Sequence, residues 1–218
     1  MRKLGVIAGT PVDTSMGVEY IKKRGGFEPI YLPAFDNPRQ CHVFQMYHFA
    51  EKKAEMSKLF EKGIELGCKD FFIYCNSLSA SFDFESLGEE YGVKVVTPIT
   101  AYRQIAKKYN TVGLIAANNQ ATGGIEKALT HENPACYVYG MGLLSVVEAI
   151  EAGKDSYEIV RDFAIDELID FFIRSRAQAM ILGCTHFPYL KDVIVKVAEA
   201  MDPNFDIIDP ADIMYDNL

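Results

Sequence analysis

Two apolar runs in this chain each stop at a cysteine. Met180-Ile181-Leu182-Gly183 gives way to Cys184-Thr185-His186 and then Phe187-Pro188, and Asp70-Phe71-Phe72-Ile73-Tyr74 gives way to Cys75-Asn76-Ser77. An apolar run with no polar alternation reads as a strand buried on both faces, which requires a parallel sheet covered by helices. In open α/β sheets chemistry collects where strands end. Each thiol is therefore expected beside the backbone N–H groups of a following helix, a position that favours a thiolate or a bound carboxylate. Phe187-Pro188 is expected to open the helix after Cys184.

The two stretches belong to a repeat. Gly5-Val6-Ile7-Ala8 returns as Gly113-Leu114-Ile115-Ala116 and Thr14 as Thr122 (113 − 5 = 108), while Cys75 returns as Cys184 (184 − 75 = 109). Two similar halves, each with one thiol and one polar loop at its strand ends, would bring the thiols together if they faced one another across a cleft. The rest of the chain fits this alternation. Strands are expected at residues 3–8, 29–32, 93–96, 111–116, 135–139 and 205–208. Helices are expected from near Met16, from Val43 to Leu66 with Phe49, Met56, Leu59 and Phe60 inward, from Leu78 to Tyr91, at 98–109, to about Leu129, and at 143–152 and 156–175. The loop Gly9 to Ser15 offers hydroxyl and N–H groups for a carboxylate or phosphate. It has neither the lysine ending of a Walker loop nor dinucleotide-fingerprint spacing.

Composition removes several classes of function. A net charge of −8 with no basic run or aromatic-interleaved basic face argues against nucleic acid. No apolar stretch approaches the roughly 20 residues needed to span a bilayer, and the first residues run straight into a strand, so a cytoplasmic location is expected. The five cysteines, at 41, 68, 75, 136 and 184, form no CxxC pair, which indicates neither a disulfide framework nor a zinc site. His42, His48 and His131 lack ligand spacing and read as surface or capping residues, so no metal is expected.

Two opposed thiols suit one reaction well. Racemisation at Cα needs a base on one face and an acid on the other, with the roles exchanged in reverse, and a thiolate–thiol pair supplies both. The developing carbanion needs hydrogen-bond donors at the α-carboxylate, and the polar exit loops, including Asn118 and Thr122, are rich in them. At these residues the sequence resembles the cofactor-independent aspartate/glutamate racemase family. Cys75-Asn76-Ser77 is similar to its first cysteine motif, and Leu182-Gly183-Cys184-Thr185-His186-Phe187-Pro188 to the glutamate racemase form of the second. Glu151-Ala152-Gly153 and Ile208-Asp209-Pro210-Ala211 resemble two further segments.

The resemblance implies two pseudo-symmetric parallel-sheet α/β domains, residues 1–98 plus 209–218 around Cys75 and 99–208 around Cys184, with the active site between them. It implies Cys75 and Cys184 as acid/base thiols, Gly9, Thr10, Asn76, Ser77, Asn118, Thr122 and Thr185 at the substrate, no cofactor, an acidic amino acid as substrate, and a homodimer. Glutamate is the first expected substrate and aspartate the second. Gly9-Thr10 stands where glutamate racemases carry Asp-Ser, leaving Asp13 as either an assistant to the first thiol or a helix cap. The Pro-Tyr-Gly segment is absent, and Arg39 in that loop is either a carboxylate binder or a solvated arginine. Glu151 and His186 could tune Cys184, or His186 could be a hydrogen-bonded core histidine. Cys41, Cys68 and Cys136 are expected to tolerate replacement. Hydantoin racemase, maleate isomerase and arylmalonate decarboxylase chemistry, and a non-catalytic small-acid binder, are the alternatives.

Overall fold

A computed structural model describes all 218 residues. In chain order the first half comprises β1 (Arg2–Ala8), α1 (Pro11–Arg24), β2 (Phe27–Pro33), α2 (Pro38–Phe44), α3 (Phe49–Glu65), β3 (Asp70–Ile73), α4 (Asn76–Ser81), α5 (Phe84–Tyr91) and β4 (Lys94–Val96). After α6 (Pro98–Lys108) come β5 (Thr111–Ala116), α7 (Asn119–Glu132), β6 (Tyr137–Gly142), α8 (Leu144–Glu151), α9 (Ser156–Asp162), α10 (Ile165–Arg174) and β7 (Ala179–Gly183). The chain closes with α11 (Lys191–Met201), β8 (Asp206–Ile208) and α12 (Pro210–Asp216). Two four-stranded parallel sheets result, ordered β2-β1-β3-β4 and β6-β5-β7-β8. The same order in both is the structural form of the repeat in sequence.

The central strands are the apolar runs, because only they are covered on both faces. All of β3 and β7 is buried, as is all but the first turn-side residues of β1 and β5. Phe71 of β3 stacks on Phe60 of α3 with ring centroids 4.4 Å apart, and both are fully buried. Burial of this kind stabilises by about 1.5–3 kcal/mol per side chain. Glycines at Gly5 and Gly63 make room for the Phe71 ring, since a Cβ at either would lie within 2.6 Å of it. The last helix returns to the first sheet's core through Ala211 and Met214, while Tyr215 donates to the Gly25 carbonyl.

Several elements differ from the sequence reading. Helix α1 begins at Pro11 instead of near Met16, because Thr10 caps it, Pro11 fills its first position and Asp13 completes a capping box. The expected helix from Val43 to Leu66 is two, α2 and α3. Residues 45–48 break it, and Glu51 accepts the His48 N–H to start the second piece. Phe49, expected inward, lies exposed at that break. Similarly, the stretch from Leu78 to Tyr91 divides at Phe82, where Asp83 caps α5 through the Ser86 N–H. Residues 156–175 divide at Ala164, whose φ of 52° is left-handed. The sixth strand falls at 137–142 instead of 135–139, and Phe187-Pro188 opens a 3-10 turn before α11.

Candidate active site

The cleft lies where β1, β3, β5 and β7 end, and it is narrow, with a cavity volume of about 30 Å³. Its walls include Gly9, Thr10, Asp13, Cys75, Asn76 and Ser77 from the first half, and Asn118, Cys184, Thr185 and His186 from the second. Cys75 and Cys184 are both buried free thiols facing this one space.

The environment of Cys75 is built from α4 and its neighbours. Ser77 Oγ lies 3.4 Å from the Cys75 sulfur. Tyr102 of α6 donates its hydroxyl to Asn76 Oδ1, which fixes the amide and leaves its NH₂ as the free end. The Cys75 thiol is held below its ordinary value, first by the neighbouring Cys41 thiol and further by Ser77 and the Leu78 N–H, against burial and the nearby Asp13.

On the other wall Cys184 sits 3.6 Å from His186 Nδ1, and His186 Nε2 lies 2.8 Å from Glu151 Oε1. Burial works against a charged imidazole, but the bonds to Cys184 and Glu151 together with Asp13 raise His186 well above its ordinary value. Burial also opposes a charge on Glu151, and the hydrogen bonds from His186 and Thr10 outweigh it, so Glu151 is lowered.

Asp13 joins the two walls. It accepts the Gly9 and Thr10 N–H groups at 3.1 and 2.6 Å and the Thr185 hydroxyl at 3.4 Å. The Thr10 hydroxyl lies 2.7 Å from Glu151 and 2.9 Å from Asp13. One hydroxyl proton cannot serve both carboxylates. Burial pushes Asp13 up from its ordinary value, against the lowering influence of His186 and of the Thr10 and Gly9 donors. A continuous chain results, Asp13 to Thr10 to Glu151 to His186 to Cys184, crossing between the halves. Asp13 is thus both the helix cap and part of this chain.

Two residues named from sequence stand elsewhere. Arg39 does not line the cleft. Its side chain is 84% exposed, with Nε 3.5 Å from Glu148. Thr122 is buried but spends its hydroxyl on the Asn118 carbonyl of its own helix at 3.0 Å and packs against Gly140.

Three polar cleft residues lie on or just after α2: His42, read from the sequence as a surface or capping residue, Cys41, expected to tolerate replacement, and Gln45, which was passed over. Asn118 caps α7 with Oδ1, which accepts the Ala121 N–H, and its Nδ2 lies 3.1 Å from His42 Nδ1. An amide nitrogen only donates, so the His42 proton sits on Nε2. Gln45 donates to the Cys41 carbonyl, while its buried Oε1 has no partner. The sole sequence signal for these three was the thiol at 41 in a proline-punctuated loop.

Two parallel α/β halves delivering one buried thiol each to a common cleft define a class of protein, and comparison with known proteins points to the same class. No family model matches the chain. Glutamate racemases of Corynebacterium glutamicum and Persephonella marina are 29% and 27% identical to it over 148 and 146 residues. Each match covers 66% of this chain and 54% of the relative, so the chain spans about half the length of the curated relatives it matches. Glutamate racemase from Francisella tularensis, solved in complex with D-glutamate, shares the fold with a TM-score of 0.70 at 24% identity, over 100% of this chain and 81% of that one. An aspartate racemase homologue from Pyrococcus horikoshii does so with a TM-score of 0.65 at 16% identity, over 100% and 97%. The chain is thus similar in sequence to glutamate racemases and shares the fold of glutamate and aspartate racemase structures. No helix is long and apolar enough to cross a membrane.

Proposed function

We propose that this protein racemises an acidic amino acid by a two-base mechanism without a cofactor, with glutamate as the first substrate and aspartate the second. The observation that carries the reading is the pair of buried thiols, one from each half, lining one cleft. In this mechanism one thiolate takes the Cα proton and becomes a thiol. The thiol on the opposite face gives its proton to the carbanion and is left as the thiolate. The two sulfurs have then exchanged states, and the reverse reaction begins from there.

The α-carboxylate would be met by the free NH₂ of the Asn76 amide, with Ser77 and Thr185 beside it, a donor that strengthens as charge builds on the carbanion. The unpartnered Gln45 Oε1 is an acceptor suited to the ammonium group. No lysine or arginine lines the cleft. A distal carboxylate would therefore meet His42 Nε2–H in place of a guanidinium, with the Asn118 contact fixing that imidazole. A homodimer is the assembly that the resemblance implies, with light scattering as its check.

Incubating the protein with L-glutamate or L-aspartate in deuterated water tests the function. The expected product is the D-enantiomer carrying deuterium at Cα. Turnover of a hydantoin or of maleate, with no exchange into either amino acid, would overturn the substrate assignment. Absence of turnover on all of them would favour a binding protein.

A further inference from the structure

The cleft holds a third thiol that the two-base scheme does not use. Cys41 is buried on α2, with its sulfur 3.6 Å from the same Ser77 Oγ that lies 3.4 Å from Cys75. Both sulfurs lie over Gly9, where an added Cβ would come within 2.8 Å of Cys41 Sγ and 3.4 Å of Cys75 Sγ. A side chain at position 9 would therefore separate them, and the glycine keeps the three groups together.

We propose that Cys41 is a positioning residue for Cys75: its S–H group donates to the Ser77 hydroxyl, which donates in turn to the Cys75 sulfur and holds Cys75 as the thiolate. Ser77 can accept from one sulfur and donate to the other, so the three atoms form one directional relay. The charges around Cys75 make such a donor necessary. Burial and Asp13 of α1 oppose a thiolate there. The other titratable groups of the cleft are Cys184 and His186 from the far wall and His42 of α2, and the hydroxyl of Tyr102 of α6 is spent on Asn76. The neighbouring Cys41 thiol is the largest influence favouring the anion at 75, and Cys41 itself is pushed well above the ordinary thiol value, first by Cys75 and then by burial. An asymmetry follows, in which Cys75 loses its proton first and Cys41 keeps one.

The proposal rests on the racemase reading only for what the thiolate then does, and its test does not need turnover. Alkylation by iodoacetamide across pH, read peptide by peptide in a mass spectrometer, follows each cysteine separately. In the wild type Cys75 should react at lower pH than Cys41; the reverse order would overturn the proposal. In Cys41→Ala the midpoint for Cys75 should rise by about one unit, a rate roughly tenfold lower near neutral pH. In Cys41→Ser, whose hydroxyl still donates, most of the wild-type midpoint should return. An unmoved midpoint in a folded Cys41→Ala protein would also overturn the proposal, and the wild-type order decides the matter should that variant not fold. In the racemase assay the acid limb of kcat/KM should move up in Cys41→Ala and recover in Cys41→Ser. A wild type that racemises nothing would sink the function while leaving the alkylation result to decide the role of Cys41.

Discussion

Serine in place of a cleft cysteine keeps the shape and removes the acidity, so Cys75→Ser and Cys184→Ser separate chemistry from packing. Each should lower racemisation by on the order of 10²–10⁴-fold, the usual contribution of a positioned acid or base. Optical rotation of a glutamate solution follows the loss, with an unchanged far-ultraviolet spectrum as the control for folding. A fully active variant at either position would end the two-base scheme. Arg39→Ala, by contrast, should leave KM within about twofold, since an exposed ion pair such as that with Glu148 is worth little. A large rise in KM would put Arg39 back over the cleft. The two cysteines were legible in the sequence because a buried strand announces its own end. Arg39 and Thr122 were not, because the direction a side chain takes depends on partners outside its own segment. Glu148 on α8 and the Asn118 carbonyl supply those partners here.

At the scale of elements, the central strands and their order were readable, while α2 was not. Seven residues with two buried side chains carry too short a stripe to show a helical period, and α2 ran on into the amphipathic pattern of α3. The cost was functional, since α2 places Cys41 and His42 at the cleft and Gln45 follows it directly. A second element, the end of β6, sets the opposite wall. A Cβ on Gly142 would fall 2.4 Å from the Asn118 carbonyl carbon and 2.5 Å from the Asn119 nitrogen. Backbone cannot swing aside as a flexible side chain can, so the start of α7 would have to move. Gly142→Ala should destabilise the fold by about 1–3 kcal/mol, and it should raise KM by shifting Asn118 away from His42. Urea denaturation and initial rates check the two effects. An unchanged urea midpoint would mean that α7 yields at no cost.

Across the whole molecule, Thr10–Glu151 ties the first half to the second and Glu151–His186 anchors that tie within the second, so their contribution to stability depends on pH. Glu151 is lowered from 4.5, and its contribution is therefore present above that value and lost as pH falls through the lower folded one. His186 is raised above 6.5, and its contribution is complete below that value and lost as pH rises through the higher folded one. The advantage of the wild type over Glu151→Gln should thus be greatest between about pH 4.5 and 6.5 and shrink on both sides. Asp13 is present in both proteins and cancels to first order. Urea midpoints measured from pH 3 to 9 test this, and a difference that only grew with pH would contradict it.

The return of α12 to the first core has a consequence for the order in which the molecule is completed during synthesis. Strand β8 finishes the second sheet at Ile208, before α12 has been made. The first core still lacks Ala211 and Met214 at that moment, as well as the Tyr215 hydrogen bond to Gly25. Domains usually mature from the N-terminal end as the chain leaves the ribosome. Here the half that emerges first must wait, part of its apolar face uncovered, until the sheet of the half that emerges second is already complete.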